Sequence, residues 1–284
     1  MMFTQKLLFA MYLHRINVVC GLVDHEAIQG SLQDQTSSPS TTIAFMGGSL
    51  TRYQYISLAY YRTHGTWIDP SSHPSLVMEK DHASWIDFYH TTNAAFGGYE
   101  LCDCYRLLLN HSTLTENRYY LSPKYNLYYI QAFGNIHSHG HWDPRGLPPT
   151  QPNITSPMPF KWEMDWASTI LNYISLLRPK PQWLVLNAGH WKNSFHLLEY
   201  RTRVFKEIKN AGIKSIWKTT TYTQNHTLNP TQIRTDHHMC AMTTLCLNLS
   251  WTRSLNKTFY WDGVHFKEPV YQRMNRQLLE MLGQ

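Results

Sequence analysis

The chain has 284 residues, of which 43% are hydrophobic, 14% are aromatic and only 15% are charged. This composition predicts a globular protein with a sizeable buried core and excludes a disordered chain, which would need more charge and fewer aromatic residues. The net charge of +6 would suit an acidic partner, but the basic residues are scattered and no nucleic-acid-binding module is recognisable. We therefore expect no nucleic-acid partner.

The N-terminal part of the chain differs from the rest. Residues 6–23 are mostly apolar but are interrupted near their centre by polar residues such as Arg15, which is costly inside a membrane. We interpret residues 1–26 as a candidate signal or membrane-anchor segment and the polar, Ser/Thr-rich residues 27–41 as a linker. Residues 42–284 are expected to form one domain, and any membrane contact is expected only through the N-terminal segment.

The predicted elements of the domain begin with a buried strand at 41–48, a short apolar run that ends in two glycines. Residues 49–62 carry apolar side chains at helical spacing and are predicted to form a helix. Residues 65–95 are predicted to be irregular. Residues 119–133 are rich in β-forming residues, and 134–159 form a loop rich in Gly, Pro and His.

The second half continues this alternation. Helices are predicted at 163–178 and 195–210, strands at 183–187 and 213–221, and a final helix at 268–282. Strands that alternate with helices predict an α/β fold, which we expect to be a three-layer α/β/α sandwich around a central, mostly parallel sheet.

The cysteines and glycosylation sequons bear on the compartment. Cys20 lies in the N-terminal segment, and the four remaining cysteines could form two disulfides in three alternative pairings or remain buried thiols. Five asparagines match the N-glycosylation pattern, which favours the secretory pathway: the Golgi lumen or membrane, or secretion. These asparagines are Asn110, Asn153, Asn225, Asn248 and Asn256.

Ser49 is the first candidate for chemistry. It follows two glycines between a predicted buried strand and a predicted helix, where ligands of α/β proteins bind and where helix N–H groups can stabilise an oxyanion. The alternative is that Ser49 is merely a helix N-cap.

Asp262 and His265 form a second candidate pair, just before the final predicted helix. Their spacing allows the carboxylate to orient the imidazole, which can then act as a general base toward a serine. The alternative is a pair that only stabilises a turn.

Four segments in order resemble the SGNH/GDSL hydrolase superfamily, and more specifically its trichome-birefringence-like and PC-esterase branch. These segments are FMGGSLTRYQY at 45–55, GGYELCDCYR at 97–106, LVLNAGHW at 184–191 and WDGVHFKEPVY at 261–271. That branch includes polysaccharide O-acetyltransferases and esterases. The resemblance spans nearly the whole domain and implies the same α/β/α fold.

The resemblance implies a catalytic triad of Ser49 as nucleophile, His265 as general base and acid, and Asp262 as the residue that orients His265. It also implies an oxyanion hole made by the Ser49 N–H, a backbone N–H from Gly97 or Gly98, and the Asn187 side chain. For Asn187 the alternative is that the side chain only stabilises a turn at a strand end.

Three further residues are implied at the substrate. Arg52 matches a family residue that contacts substrate or braces the loop, with a plain surface arginine as the alternative, and His190 and Trp191 are expected to bind substrate. The histidines at 137, 139 and 141 would suit zinc or copper, but no companion carboxylate or cysteine lies nearby, so we interpret them as a polar loop. We expect no metal and no cofactor.

One departure from the family pattern is Gly48, where the family has an aspartate. Our hypothesis is a serine-dependent O-acyl transferase or esterase, most specifically for O-acetyl groups, whose partners are a glycan or other acyl ester and an acetyl donor. The alternatives are a catalytically impaired glycan-binding relative, which Gly48 motivates, and a hydrolase of lipids or other small esters.

Overall fold

The computed structural model describes residues 41–71, 76, 81–103, 116–134, 136–137 and 165–284. The candidate signal or anchor segment and all but the last residue of the expected linker lie outside these residues. The described residues belong to one compact unit. Within them, no helix combines the length and the apolar character that crossing a bilayer requires.

A mixed β-sheet forms the centre of this unit, and its strands follow the order β2-β3-β4-β1-β6-β7-β8, with the short β5 paired to β4. The bounds are β1 Thr42–Gly47, β2 Glu100–Asp103, β3 Asn117–Leu121, β4 Asn126–Phe133, β5 Ile136–His137, β6 Trp183–Asn187, β7 Lys214–Lys218 and β8 Leu245–Leu247.

Five consecutive strands of the sheet, from β4 to the edge strand β8, are parallel. β1 pairs in parallel with β4 on one side and β6 on the other, and β7 and β8 extend that side, whereas β2 and β3 add antiparallel pairs at the opposite edge. The strands β2, β3 and β4, which follow β1 in the sequence, all lie on one side of β1, and β6, β7 and β8 lie on the other side. The strand order therefore reverses at β1, which places a binding crevice at the carboxyl end of this strand.

Six α-helices are described. Their bounds are α1 Ser49–His64, α2 Trp85–Ala95, α3 Trp166–Asn172, α4 Leu198–Asn210, α5 Pro230–Met242 and α6 Glu268–Met281. Successive side chains along each strand point to opposite faces of the sheet, and both faces carry apolar side chains that helices cover. On β1, Ile43 and Phe45 pack with α1, α2 and α6, while Ala44 and Met46 pack with α3, α4 and α5. The predicted three-layer α/β/α sandwich with a mostly parallel sheet is confirmed.

The prediction that residues 65–95 are irregular was wrong for the last eleven of them, which form α2. The helix α5 was not predicted from the sequence. Both helices carry start signals in the sequence. The Ser84 hydroxyl accepts the backbone N–H of Asp87 at the start of α2. Asn229 and Gln232 form a reciprocal capping box at the start of α5, with Pro230 as its first residue.

One disulfide joins the end of α5 to β8. Cys240 and Cys246 are bonded, which selects among the pairings that the sequence left open. Cys102 is disulfide-bonded as well. The expected localisation to the secretory pathway stays a prediction.

Candidate active site

The turn between β1 and α1 sets the position of Ser49. A Cβ atom on Gly47 would lie 2.5 Å from the Thr51 Oγ1 and 2.6 Å from the Asn187 backbone oxygen, so only glycine fits there. The next residue, Gly48, is the N-cap, and its carbonyl accepts the N–H groups of Thr51 and Arg52. Ser49 is therefore the first residue of α1, at the carboxyl end of the central strand.

The structure brings Ser49, His265 and Asp262 together across 216 residues of sequence separation. The Ser49 Oγ lies 2.7 Å from the His265 Nε2. The His265 Nδ1 lies 2.9 Å from the Asp262 Oδ2, so with a proton on Nδ1 the imidazole donates to the carboxylate and leaves Nε2 to accept the serine proton. These distances lie within the hydrogen-bond range of a nucleophile, a base and an orienting group.

Backbone groups of the same loop hold Asp262. Its Oδ1 accepts the N–H groups of Val264 and His265, each at 2.8 Å. Burial acts to raise the pKa of the Asp262 carboxyl, but these bonds together with the imidazole outweigh it and lower the pKa below its ordinary value. The carboxylate therefore stays ionised and can stabilise a protonated His265.

Tyr53 is a site residue that sequence reasoning missed. It is buried, and its ring meets the His265 ring edge-on, with ring centres 5.7 Å apart and an angle of 86°. Tyr53 lies one helical turn after Ser49 on α1, so the i, i+4 spacing was the available signal. Its contact restricts the orientation of the imidazole.

Of the expected oxyanion donors, the Ser49 N–H and Asn187 lie at the carboxyl end of the sheet, whereas Gly97 and Gly98 do not. The Ser49 N–H stands at the N-terminus of α1, where helix N–H groups lack intrahelical partners and favour negative charge. Asn187 ends β6 beside Gly47, but its Nδ2 donates to the Lys218 carbonyl at 2.8 Å and its Oδ1 lies 3.5 Å from the Thr51 Oγ1. Asn187 thus ties β6 to β7, as in the turn-stabilising alternative, and its oxyanion role stays a prediction.

Gly97 and Gly98 are not brought to this site. Their N–H groups donate to the carbonyls of Ala94 and Asn93, and both residues have positive φ angles. They terminate α2 as helix-ending glycines do.

The strand register places this pair of glycines at the other end of the sheet. Glu100, two residues after Gly98, pairs with Tyr120 on β3. Tyr120 pairs with Leu127 on β4, and Leu127 pairs with Ile43 at the start of β1. Because Ser49 follows the end of β1, neither glycine N–H can serve an oxyanion there, and the resemblance assigned the wrong backbone donors.

The Arg52 side chain is buried and does not face solvent. It is 4% exposed, and its Nη1 lies 2.7 Å from the Glu116 Oε2, while Arg118 binds the other oxygen of Glu116 at 2.7 Å. This pairing matches the bracing alternative rather than substrate contact.

His190 lies near the triad. Burial lowers the pKa of its imidazole, and the nearby charge of His265 lowers it further, whereas a hydrogen bond with the Thr221 backbone opposes both effects. The imidazole is therefore neutral at neutral pH, and its buried Nε2 has no hydrogen-bond partner among the described residues. An unpaired acceptor at this place fits the expected substrate contact, which stays a prediction.

Trp191 lies next to the residue that precedes the nucleophile. Its side chain is 51% exposed, and its ring meets Phe133 edge-on at the carboxyl end of β4. The indole Nε1 lies 3.0 Å from the position that a Cβ atom on Gly48, the residue just before Ser49, would occupy. A half-exposed indole at this position offers a stacking surface next to the reactive hydroxyl.

The chain matches no protein-family model and no curated protein. Among solved structures it is similar to a putative acylhydrolase from Bacteroides fragilis NCTC 9343, with 12% sequence identity and a TM-score of 0.38, over 92% of this chain and 96% of that one. The chemistry of this chain is therefore inferred from the geometry of its own residues.

Proposed function

We propose that the protein is a serine-dependent O-acyl esterase or transferase that forms an acyl-enzyme on Ser49. The observation that carries this proposal is the chain of contacts from the Ser49 Oγ to the His265 Nε2 at 2.7 Å and from the His265 Nδ1 to the Asp262 Oδ2 at 2.9 Å. A serine that only begins a helix has no need of a histidine that is itself oriented by a carboxylate.

In the first half-reaction, the Ser49 Oγ attacks the ester carbonyl carbon while the His265 Nε2 takes the hydroxyl proton. The carbonyl oxygen becomes an oxyanion at the Ser49 N–H, and Asp262 stabilises the imidazolium. The C–O bond to the leaving alcohol then breaks, and His265 returns the proton to that alcohol. The acyl group is left on Ser49.

In the second half-reaction, an acceptor hydroxyl attacks the acyl carbon and gives its proton to His265. Water as acceptor makes the protein an esterase, and a sugar hydroxyl makes it a transferase. The bond between the acyl carbon and the Ser49 Oγ then breaks, His265 gives the proton to the Oγ, and the acylated acceptor leaves.

The proposed substrate is an O-acetylated glycan of the secretory pathway. Two observations support it. The half-exposed Trp191 indole beside Gly48 suits stacking against a sugar ring. Three sequon asparagines, Asn225, Asn248 and Asn256, are exposed, as glycan attachment requires.

Ester turnover tests the proposed reaction. Wild type should hydrolyse 4-nitrophenyl acetate, and Ser49→Ala should reduce the rate to that of buffer because no acyl-enzyme can form. Ser254→Ala, which changes an exposed serine, is the control and should keep wild-type activity. An inert wild type, or Ser49→Ala as active as wild type, contradicts the proposal.

The acceptor is tested separately with a panel of acetylated and free polysaccharides. Acetate release in water identifies an esterase, and acetyl transfer to a free polysaccharide identifies a transferase. Turnover of small esters without either reaction on any glycan would support the small-ester hydrolase instead.

A further inference from the structure

Lys218 is a lysine inside the core, at the carboxyl end of β7. It is 0% exposed and shares a face of the sheet with Ile216, toward the layer of α1 and α6. Among the described residues it has no salt bridge and no contact with an acidic side chain. Because an unpaired buried charge destabilises a fold, an apolar residue would serve the core better, and the lysine calls for a functional explanation.

The contacts of Lys218 lead to the nucleophile. Its Nζ donates to the backbone carbonyl of Leu50 at 3.2 Å, in the first turn of α1 and one residue after Ser49. Its own carbonyl accepts the Asn187 side-chain amide at 2.8 Å, which ties it to the end of β6. The amine is thus fixed directly behind the helix N-terminus that presents the Ser49 N–H.

We infer that Lys218 is a positioning residue that places a positive charge behind the first turn of α1 and so strengthens oxyanion binding at the Ser49 N–H. This inference rests on the proposed acyl-transfer function. The oxyanion forms only after the Ser49 Oγ attacks, so a charge behind the helix stabilises the transition state more than the bound ester. Since Lys218 is buried behind Leu50, it does not touch substrate.

The protonation of Lys218 makes the effect depend on pH. Burial lowers the pKa of its amine to about 7. The positive charge is present below that pH and is lost above it. The added stabilisation of the oxyanion is therefore complete at acid pH and disappears as the pH rises through 7.

The elements around Lys218 contribute no competing charge. α1 presents the Leu50 carbonyl, β6 the neutral Asn187 amide, and β8 the apolar Leu247, which is its strand partner. Titratable groups elsewhere on these layers, Asp236 on α5, Glu268 on α6 and the imidazoles of His190 and His265, do not shift its pKa, for which burial is the single cause.

The experiment compares pH profiles of kcat for 4-nitrophenyl acetate between about pH 5.5 and about pH 9. Lys218→Met removes the charge and the hydrogen bond, whereas Lys218→Gln removes the charge and keeps an N–H donor. Lys214→Met is the matched control because it changes an exposed lysine on the same strand. Dividing wild-type kcat by variant kcat at each pH cancels any pH dependence that all four proteins share.

We expect the ratio of wild type to Lys218→Met to be about fivefold at the acid end and to fall to about one at the alkaline end, with KM unchanged. Lys218→Gln should follow Lys218→Met, and Lys214→Met should superimpose on wild type. If Lys218→Met does not fold, Lys218→Gln alone decides the question.

A ratio that does not change with pH overturns the inference, as does a Lys218→Gln variant that keeps the wild-type profile. Both results leave ester turnover by Ser49 intact, so they are distinct from a failure of the proposed function. That failure would appear as an inert wild type.

Discussion

The indole Nε1 of Trp191 lies 3.0 Å from the position that a Cβ atom on residue 48 would occupy. Glycine at 48 therefore lets the indole come close to the backbone that precedes the nucleophile, where any side chain would push the ring outward. Gly48 is also the position at which the chain departs from the pattern of the family that its sequence resembles. It does not disturb the hydrogen bond from Ser49 to His265, which is 2.7 Å long.

Gly47 and Gly48 should respond differently to alanine. Gly47→Ala would drive a Cβ atom into the Asn187 backbone at 2.6 Å, so we expect a loss of about 2 kcal/mol or more in unfolding free energy and of most ester turnover. In Gly48→Ala the half-exposed indole can shift by a few tenths of an ångström, so kcat/KM should stay within about threefold of wild type. Thermal unfolding and ester kinetics measure both. Equal losses in the two variants would contradict the tight-turn explanation.

Asp262→Asn tests the orienting role of the carboxylate. An amide oxygen can still accept the N–H groups of Val264 and His265, so the fold should be kept. Its amide cannot stabilise an imidazolium, so kcat should fall about a thousandfold. Asp87→Asn, at an exposed aspartate that bonds a serine at the start of α2, is the control. A loss of less than about tenfold for Asp262→Asn would remove this residue from the triad.

Arg52 should matter for stability and not for substrate affinity. Arg52→Met and Glu116→Gln each break the buried ion pair, and each should lower the unfolding free energy by about 3 kcal/mol. Glu116 is fully buried and serves as the matched comparison. KM of the folded fraction should equal that of wild type in both variants. A raised KM with unchanged thermal stability in Arg52→Met alone would restore the substrate-contact role.

Lys218→Met should stabilise the fold. The pKa of the amine falls from 10.5 to about 7 on burial, so between these pH values the unfolded chain holds a proton that the folded protein lacks. Wild-type stability therefore rises with pH across this window, and the penalty, up to about 5 kcal/mol, is complete below pH 7. Denaturant unfolding should show the largest gain for Lys218→Met at about pH 6 and a smaller gain at about pH 9. A gain that is constant with pH would contradict a neutral buried amine.

Local patterns in the sequence predicted much of the fold. The apolar run before Ser49 became the central strand, and the alternation of strands and helices predicted the layers. α2 and α5 were missed although their capping residues, Ser84 with Asp87 and Asn229 with Gln232, were readable. Those signals are short and polar and carry no apolar periodicity, which was the pattern used to find helices.

The candidate site was predictable only in part. Ser49, Asp262 and His265 could be placed because their segments occur together in the order of the family that the sequence resembles, although each residue taken alone had a structural alternative. Gly97 and Gly98 could not, since the end of the sheet on which they lie depends on the direction of an edge strand. Lys218 was missed because a lysine at a strand end ordinarily reaches solvent, and its burial depends on α1, which comes from a distant part of the chain.

Peptide mapping after treatment with a fluorophosphonate shows which serine is the nucleophile, because this reagent labels a serine activated by a neighbouring base. We expect one adduct on Ser49 in wild type and none on Ser49 in His265→Ala, with exposed Ser254 unlabelled in both. An adduct on another serine, or an unlabelled wild type, would contradict the assignment of Ser49 as the nucleophile.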